Sequence, residues 1–66
     1  MKYYSTQRPI GPGSIPMDGV IKIVNFDYRK PVPKIGRPAW GYVVYDRELT
    51  QQEARSYELI AEKSFK

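Results

Sequence analysis

Three stretches of this chain have the period-two hydrophobic character of strands, and one has the opening of a helix. Residues 2–8 hold β-compatible Tyr3, Tyr4 and Thr6 and meet no Pro until Pro9, which predicts a first strand. Residues 9–19 then carry three Pro and three Gly and predict a loop with defined bends, closed by an Asp18-Gly19 turn. Val20 to Asp27 is dense in β-branched residues. Its alternation leaves apolar side chains on both faces, so it reads as a central strand covered on both sides. Tyr28 to Pro38, with Pro31, Pro33, Gly36 and Pro38, reads as a second irregular stretch, long for a connection in so small a domain.

Ala39 to Tyr45 predicts a third strand, with Trp40, Tyr42 and Val44 on one face and Ala39, Gly41, Val43 and Tyr45 on the other. Small Ala39 and Gly41 call for something packed closely against them, most simply the helix. That helix starts at Thr50. Thr50 and Glu53 have the spacing of a capping box, in which each side chain satisfies an orphan backbone donor of the first turn, and Leu49 can staple to Ala54. The periodicity predicts a short helix over 51–57 followed by an extended segment from Glu58 to Ala61 at a sheet edge; a helix running to Lys63 is the alternative. The elements give an α+β fold in the order β-β-β-α: a small antiparallel three-stranded sheet, or four-stranded if the last segment pairs, with one C-terminal helix packed on one face. Residues 1–66 form a single small domain.

Composition narrows the chemistry. The chain has no Cys, which rules out disulfides, thiolate zinc sites and a thiol nucleophile, and no His, which removes the Ser-His triad and the imidazole ligand. Hydrophobic residues make up 41% and aromatics 14%, too much for an obviously disordered chain. Residues 1–8 lack the apolar stretch of a signal peptide, and no apolar run approaches the ~20 residues of a membrane span. The expected setting is cytoplasmic, without a membrane partner.

The net charge of +4 is unevenly spread. Between Tyr28 and Tyr45 lie Arg29, Lys30, Lys34 and Arg37 with no acid, whereas Asp46 to Lys63 holds five acids and three bases. A basic segment of this kind is either a solvated loop or the electrostatic part of a nucleic-acid contact.

Motifs for catalysis are missing. Gly11-Pro12-Gly13 lacks the Gly-Lys-Ser/Thr of a phosphate loop, and Pro12 removes a backbone donor. Asp18, Asp27, Asp46 and Glu48 read as turn acids, since nothing in their spacing makes them converge. No catalytic residue, cofactor or metal ligand is assigned. The aromatics are the larger signal. Trp40, Tyr42 and Phe26 are expected in the core, while Tyr3, Tyr28 and Tyr45 are as readily exposed as buried. The candidate contact residues are Tyr28, Arg29, Lys30, Lys34, Arg37 and Tyr45.

One resemblance covers most of the chain. Tyr3-Tyr4-Ser5-Thr6-Gln7-Arg8-Pro9, Ile23-Val24-Asn25-Phe26-Asp27, Ala39-Trp40-Gly41-Tyr42, Leu49-Thr50 with Glu53-Ala54, and Tyr57-Glu58-Leu59 resemble a group of short uncharacterised proteins. These occur in Gram-positive bacteria, often on conjugative or phage-like mobile elements. The resemblance implies a bacterial cytoplasmic setting and an accessory role for a mobile element, and it transfers no active site. The expected function is a non-catalytic interaction module that binds a protein partner, as a monomer or weak homodimer. The alternative is a nucleic-acid binder using the same basic loop and aromatic strand.

Overall fold

A computed structural model describes residues 1–62. The elements are β1 (Lys2–Ser5), β2 (Val20–Val32), β3 (Arg37–Tyr45), α1 (Gln51–Ser56) and β4 (Leu59–Ala61). All pairings are antiparallel, and the spatial order is β2-β3-β1-β4. The fold is α+β, as the sequence predicts, but the chain order is β-β-β-α-β and the sheet has four strands. The extended segment after the helix pairs with β1 as Tyr3↔Ala61, Tyr4↔Ile60 and Ser5↔Leu59. The alternative of a helix continuing to Lys63 fails at Ser56, where α1 ends; Lys63 itself lies outside the described residues.

Two strand expectations are corrected. β2 is an edge strand, not a central one, and it leaves Ile21 and Ile23 exposed. The strand covered on both faces is the four-residue β1, where Tyr3 and Tyr4 point oppositely and are both buried. Residues 28–38 are also not one irregular loop. β2 runs through to Val32 and β3 begins at Arg37, joined by a tight turn over 33–36 that closes with Gly36 at φ 74°. Pro31 and Pro38 face each other in the ladder. An outer strand tolerates Pro because one of its sides needs no donors, and β3 at Pro38 has β2 alone beside it.

The β2–β3 ladder is interrupted. Its register passes from Asn25↔Gly41 to Lys30↔Ala39, so residues 26–29 of β2 bulge outward opposite Trp40 alone. A Cβ at Gly41 would collide with the Val24 carbonyl oxygen and crowd Asn25. The close approach at Gly41 is therefore made by the backbone of β2, not by the helix.

Each face of the sheet carries its own small core. On one, Tyr3, Val43, Tyr45 and Leu59 pack with Ile10, Ile15 and Leu49. On the other, Tyr4, Val32 and Ala39 pack with half-buried Phe26, Tyr42 and Ile35. The expected helix cover is slight, since α1 touches β4 alone among the strands and none of its residues is buried. The first face is covered instead by residues 9–16 and by Leu49. A loop can do this because side chains satisfy its backbone. Asn25 accepts from the Ile10 amide at 2.8 Å and donates to the Ile10 carbonyl at 2.9 Å, and the Tyr45 hydroxyl donates to the Pro16 carbonyl at 2.5 Å. α1 is too short to persist alone and is held from its N-terminus. The predicted capping box is present at Thr50 and Glu53, and Arg47 adds a two-pronged bond to Glu53 at 2.9 and 3.1 Å.

Candidate functional site

The second face opens into a groove of about 310 Å³ between β1, β3 and the β2–β3 hairpin. Its aromatic side is set by register. Tyr4↔Tyr42 is a directly opposed pair with ring centroids 5.9 Å apart, and Phe26 lies 6.1 Å from Tyr42. Pro31, Val32 and Pro33 form the aliphatic wall. Three lysines line the same space. Lys2 Nζ sits 4.1 Å from the Tyr42 ring centroid and 5.4 Å from that of Tyr4, and Lys30 Nζ sits 5.3 Å from Phe26. Lys34, on the turn, is 64% exposed.

One carboxylate meets this set. Glu62 follows β4, and its amide donates to the Lys2 carbonyl at 2.9 Å. Its side chain accepts from the Tyr4 hydroxyl at 2.9 Å and stands 3.6 Å from Lys2 Nζ and 3.7 Å from Lys34 Nζ. The Tyr4 hydrogen bond holds the Glu62 carboxyl below the usual carboxylate range; burial opposes this and the two lysines reinforce it. Burial, with the bond to Glu62, pushes the Tyr4 phenol up. Burial disfavours charge on Lys2, but Tyr4 and Glu62 outweigh it and raise its pKa.

The outer strand β2 is the second notable surface. Ile21 is 63% exposed, Ile23 38% and Tyr28 61%, and Met17 just before the strand is exposed too. Ile21 is an extra residue in the register between Val20↔Tyr45 and Lys22↔Val44. Among the described residues nothing pairs with the outer side of β2.

A family model described as defence against restriction A C-terminal matches residues 1–64. The chain belongs to the defence against restriction A C-terminal family. No curated protein and no solved structure matches the chain. The family description points to a phage- or mobile-element-associated group, in line with the coarse part of the resemblance read from the sequence.

In this member of the family the six sequence-predicted contact residues do not share one surface. Lys30 and Lys34 line the groove. Tyr28 and Arg29 lie in the bulge, where Arg29 Nη2 is 3.5 Å from the Thr6 carbonyl. Arg37 lines an adjoining depression with Gly36 and Pro38, on the other side of the Pro31, Val32 and Pro33 wall that it shares with the groove. Tyr45 drops out as a correction. It is 1% exposed, stacks edge-on against Tyr3 at 5.8 Å and is bonded to Pro16, and burial pushes its phenol up to about 12. Trp40 and Tyr42 are half-buried. Lys2, Tyr4 and Glu62 were missed, and the signal for them was the alternation of β1, which aims Lys2 and Tyr4 at one face.

The described acids do not gather. Among the described residues no three carboxylates form a group able to hold a metal ion, and no helix is long and apolar enough to cross a membrane.

Proposed function

We propose that the chain is a non-catalytic interaction module that binds a protein partner, as a cytoplasmic accessory factor in a mobile element's defence against restriction. The observation that carries this reading is the unpaired outer strand β2, with Ile21, Ile23 and Tyr28 exposed along it and Met17 exposed just before it. An unpaired edge offers a row of backbone donors and acceptors to an incoming strand, and flanking apolar side chains supply area to bury. Lys22, Arg29 and Lys30 on the same strand favour a partner segment with acidic residues. The three bases outnumber the single acid of the strand, Asp27, so two copies of this edge repel on balance, in keeping with a monomer or weak homodimer.

The second reading is nucleic-acid binding, favoured by exposed Tyr28 beside Arg29 and Lys30. Against it, Lys2 and Lys30 lie against the Tyr42 and Phe26 rings, where stacked bases would have to go.

The test is capture of co-encoded proteins by the intact chain, repeated with an Ile21→Thr/Ile23→Thr variant. Full burial of an Ile is worth about 1.5–3 kcal/mol. Scaled by exposures of 63% and 38%, the pair contributes about 1.5–3 kcal/mol, so partner affinity falls roughly ten- to 150-fold. Retained capture by this variant and by a triple alanine variant at Arg29, Lys30 and Arg37 refutes the proposed surface. An oligonucleotide that binds with a steep salt dependence favours the second reading.

A further inference from the structure

The groove on the second face already holds an anion of its own, the Glu62 carboxylate. We infer that this groove is a binding site for an acidic peptide segment of a partner protein, whose carboxylate takes the place of Glu62 beside Lys2, Lys34 and the Tyr4 hydroxyl. The occupant's class rests on the protein-partner reading; the groove lies on the second face of the sheet and shares Lys30 with the β2 edge, while Ile21 and Ile23 belong to the edge alone.

Charge is the first argument. Lys2, Lys30 and Lys34 line the groove, and among the described residues Glu62 is the one carboxylate within 4 Å of any of them. One anion among three cations leaves the groove short of negative charge. Geometry is the second. The Lys2 and Lys34 contacts to Glu62, at 3.6 and 3.7 Å, are well beyond the roughly 2.7–2.9 Å of a charge-assisted hydrogen bond. Glu62 is therefore shared between two lysines without engaging either closely. A carboxylate with freedom to move in from solvent can approach both, and exposed Lys34 can swing to meet it.

Chemistry of the walls selects the class. Pro31, Val32, Pro33 and Phe26 make an apolar flank that suits an aliphatic residue beside the acid. The Tyr42 and Phe26 rings each carry a lysine ammonium, so neither offers an open platform for a nucleobase. About 310 Å³ is at the small end of ligand sites, enough for a side chain or two of an extended segment. Glu62 thus acts as a resident competitor that sets a threshold for the incoming acid.

The experiment titrates the intact chain with a capped peptide alternating Glu and Leu, followed by backbone amide shifts at low salt. The same peptide with Gln for Glu, inorganic phosphate and a single-stranded oligodeoxynucleotide serve as comparison ligands. The Glu peptide is expected to shift residues of β1, residues 30–34 and Glu62. Glu62→Gln keeps an acceptor for the Tyr4 hydroxyl but removes the competing charge, and should bind the peptide roughly three- to thirtyfold more tightly. Lys34→Gln, at an exposed position, and Lys2→Gln should each weaken binding, with amide dispersion confirming that both variants fold. Equal affinity of wild type and Glu62→Gln, or of the Glu and Gln peptides, overturns the inference. So does tightest binding by phosphate or by the oligonucleotide. Failure of the peptide with capture through β2 intact removes this site alone; tight oligonucleotide binding in place of capture removes the protein-partner reading too.

Discussion

Replacing Tyr3 by Phe isolates one buried hydrogen bond on which the C-terminal third depends. The Tyr3 oxygen accepts from the Leu49 amide at 2.8 Å, in the core between β1 and the residue that precedes the helix cap. Tyr3 is 3% exposed, and its ring stands edge-on to Tyr45 with centroids 5.8 Å apart and planes at 82°. Phenylalanine keeps the ring, its burial and that contact. It removes only the acceptor, leaving the Leu49 amide without a partner where water does not reach. An orphaned buried donor costs about 1–3 kcal/mol. A chain of this length has about 3–10 kcal/mol of total stability, so the loss is a large share. At about 4–8 °C per kcal/mol, Tm should fall by about 4–24 °C. Urea unfolding read by Trp40 fluorescence should show a lower midpoint with unchanged slope. Hydrogen exchange at the Leu49 amide should quicken more than at Val43. Tyr28→Phe, at a 61% exposed position, is the control and should change stability by no more than about 0.5 kcal/mol. A Tyr3→Phe variant as stable as that control would refute the assigned role of the bond.

Other perturbations reach other parts of the molecule. Asn25→Ala removes both bonds to the Ile10 backbone and should cost about 1–2 kcal/mol, with faster amide exchange concentrated in residues 9–16; a uniform change across the sheet would contradict the clamp. Hydrogen bonding from Arg47 holds the Glu53 carboxyl at about 2, below its ordinary 4.5. A depressed folded value means stability present above pH 4.5 and lost as pH falls toward about 2. Arg47→Gln should therefore flatten acid unfolding over that window, as a pH series of thermal melts will read. Glu58 has φ 57° just after the helix, and Glu58→Gly relieves that conformation at the loss of an exposed ion pair with Arg8. Its stability should stay level or rise by up to about 1 kcal/mol, and a drop in Tm would refute the assigned strain.

Local chemistry carried much of the fold. The capping box at Thr50 and Glu53 is a contact between residues three apart, so its letters alone specify it, and the turn into β2 at Gly19 (φ 86°) is likewise local. Strand order is not local. Val20 to Asp27 carries more apolar residues than Lys2 to Ser5, and on pattern alone it is the better central strand. Four short residues win the centre because both neighbours find register on them, Lys2↔Val44 to Ser5↔Gly41 on one side and Tyr3↔Ala61 to Ser5↔Leu59 on the other. The prolines misled for a related reason. A Pro breaks a strand only where its missing amide was needed, and that depends on which neighbour lies on which side. The covering loop was hidden too, because Ile10 and Ile15 lie among residues that read as turn formers, and Asn25 is fifteen residues away from the backbone it satisfies.

The candidate groove follows the same division. Lys30 and Lys34 were visible because they stand in a run without acids, a property of neighbouring letters. Lys2, Tyr4 and Glu62 were not, because their meeting depends on β1 lying between β3 and β4. The Tyr4–Glu62 bond joins residues 58 apart in sequence and is made only once β4 pairs with β1. Charge blocks point in the opposite direction: they assign Glu62 to an acidic C-terminal third and Lys30 and Lys34 to a basic middle, as two separate surfaces. Folding brings one acid into the basic set, and the groove gains its anion from the far end of the chain. A sequence in which β4 could not pair would keep the lysines and lose the competitor. Its groove would be more positive, and it would take acidic ligands with less selection between strong and weak binders.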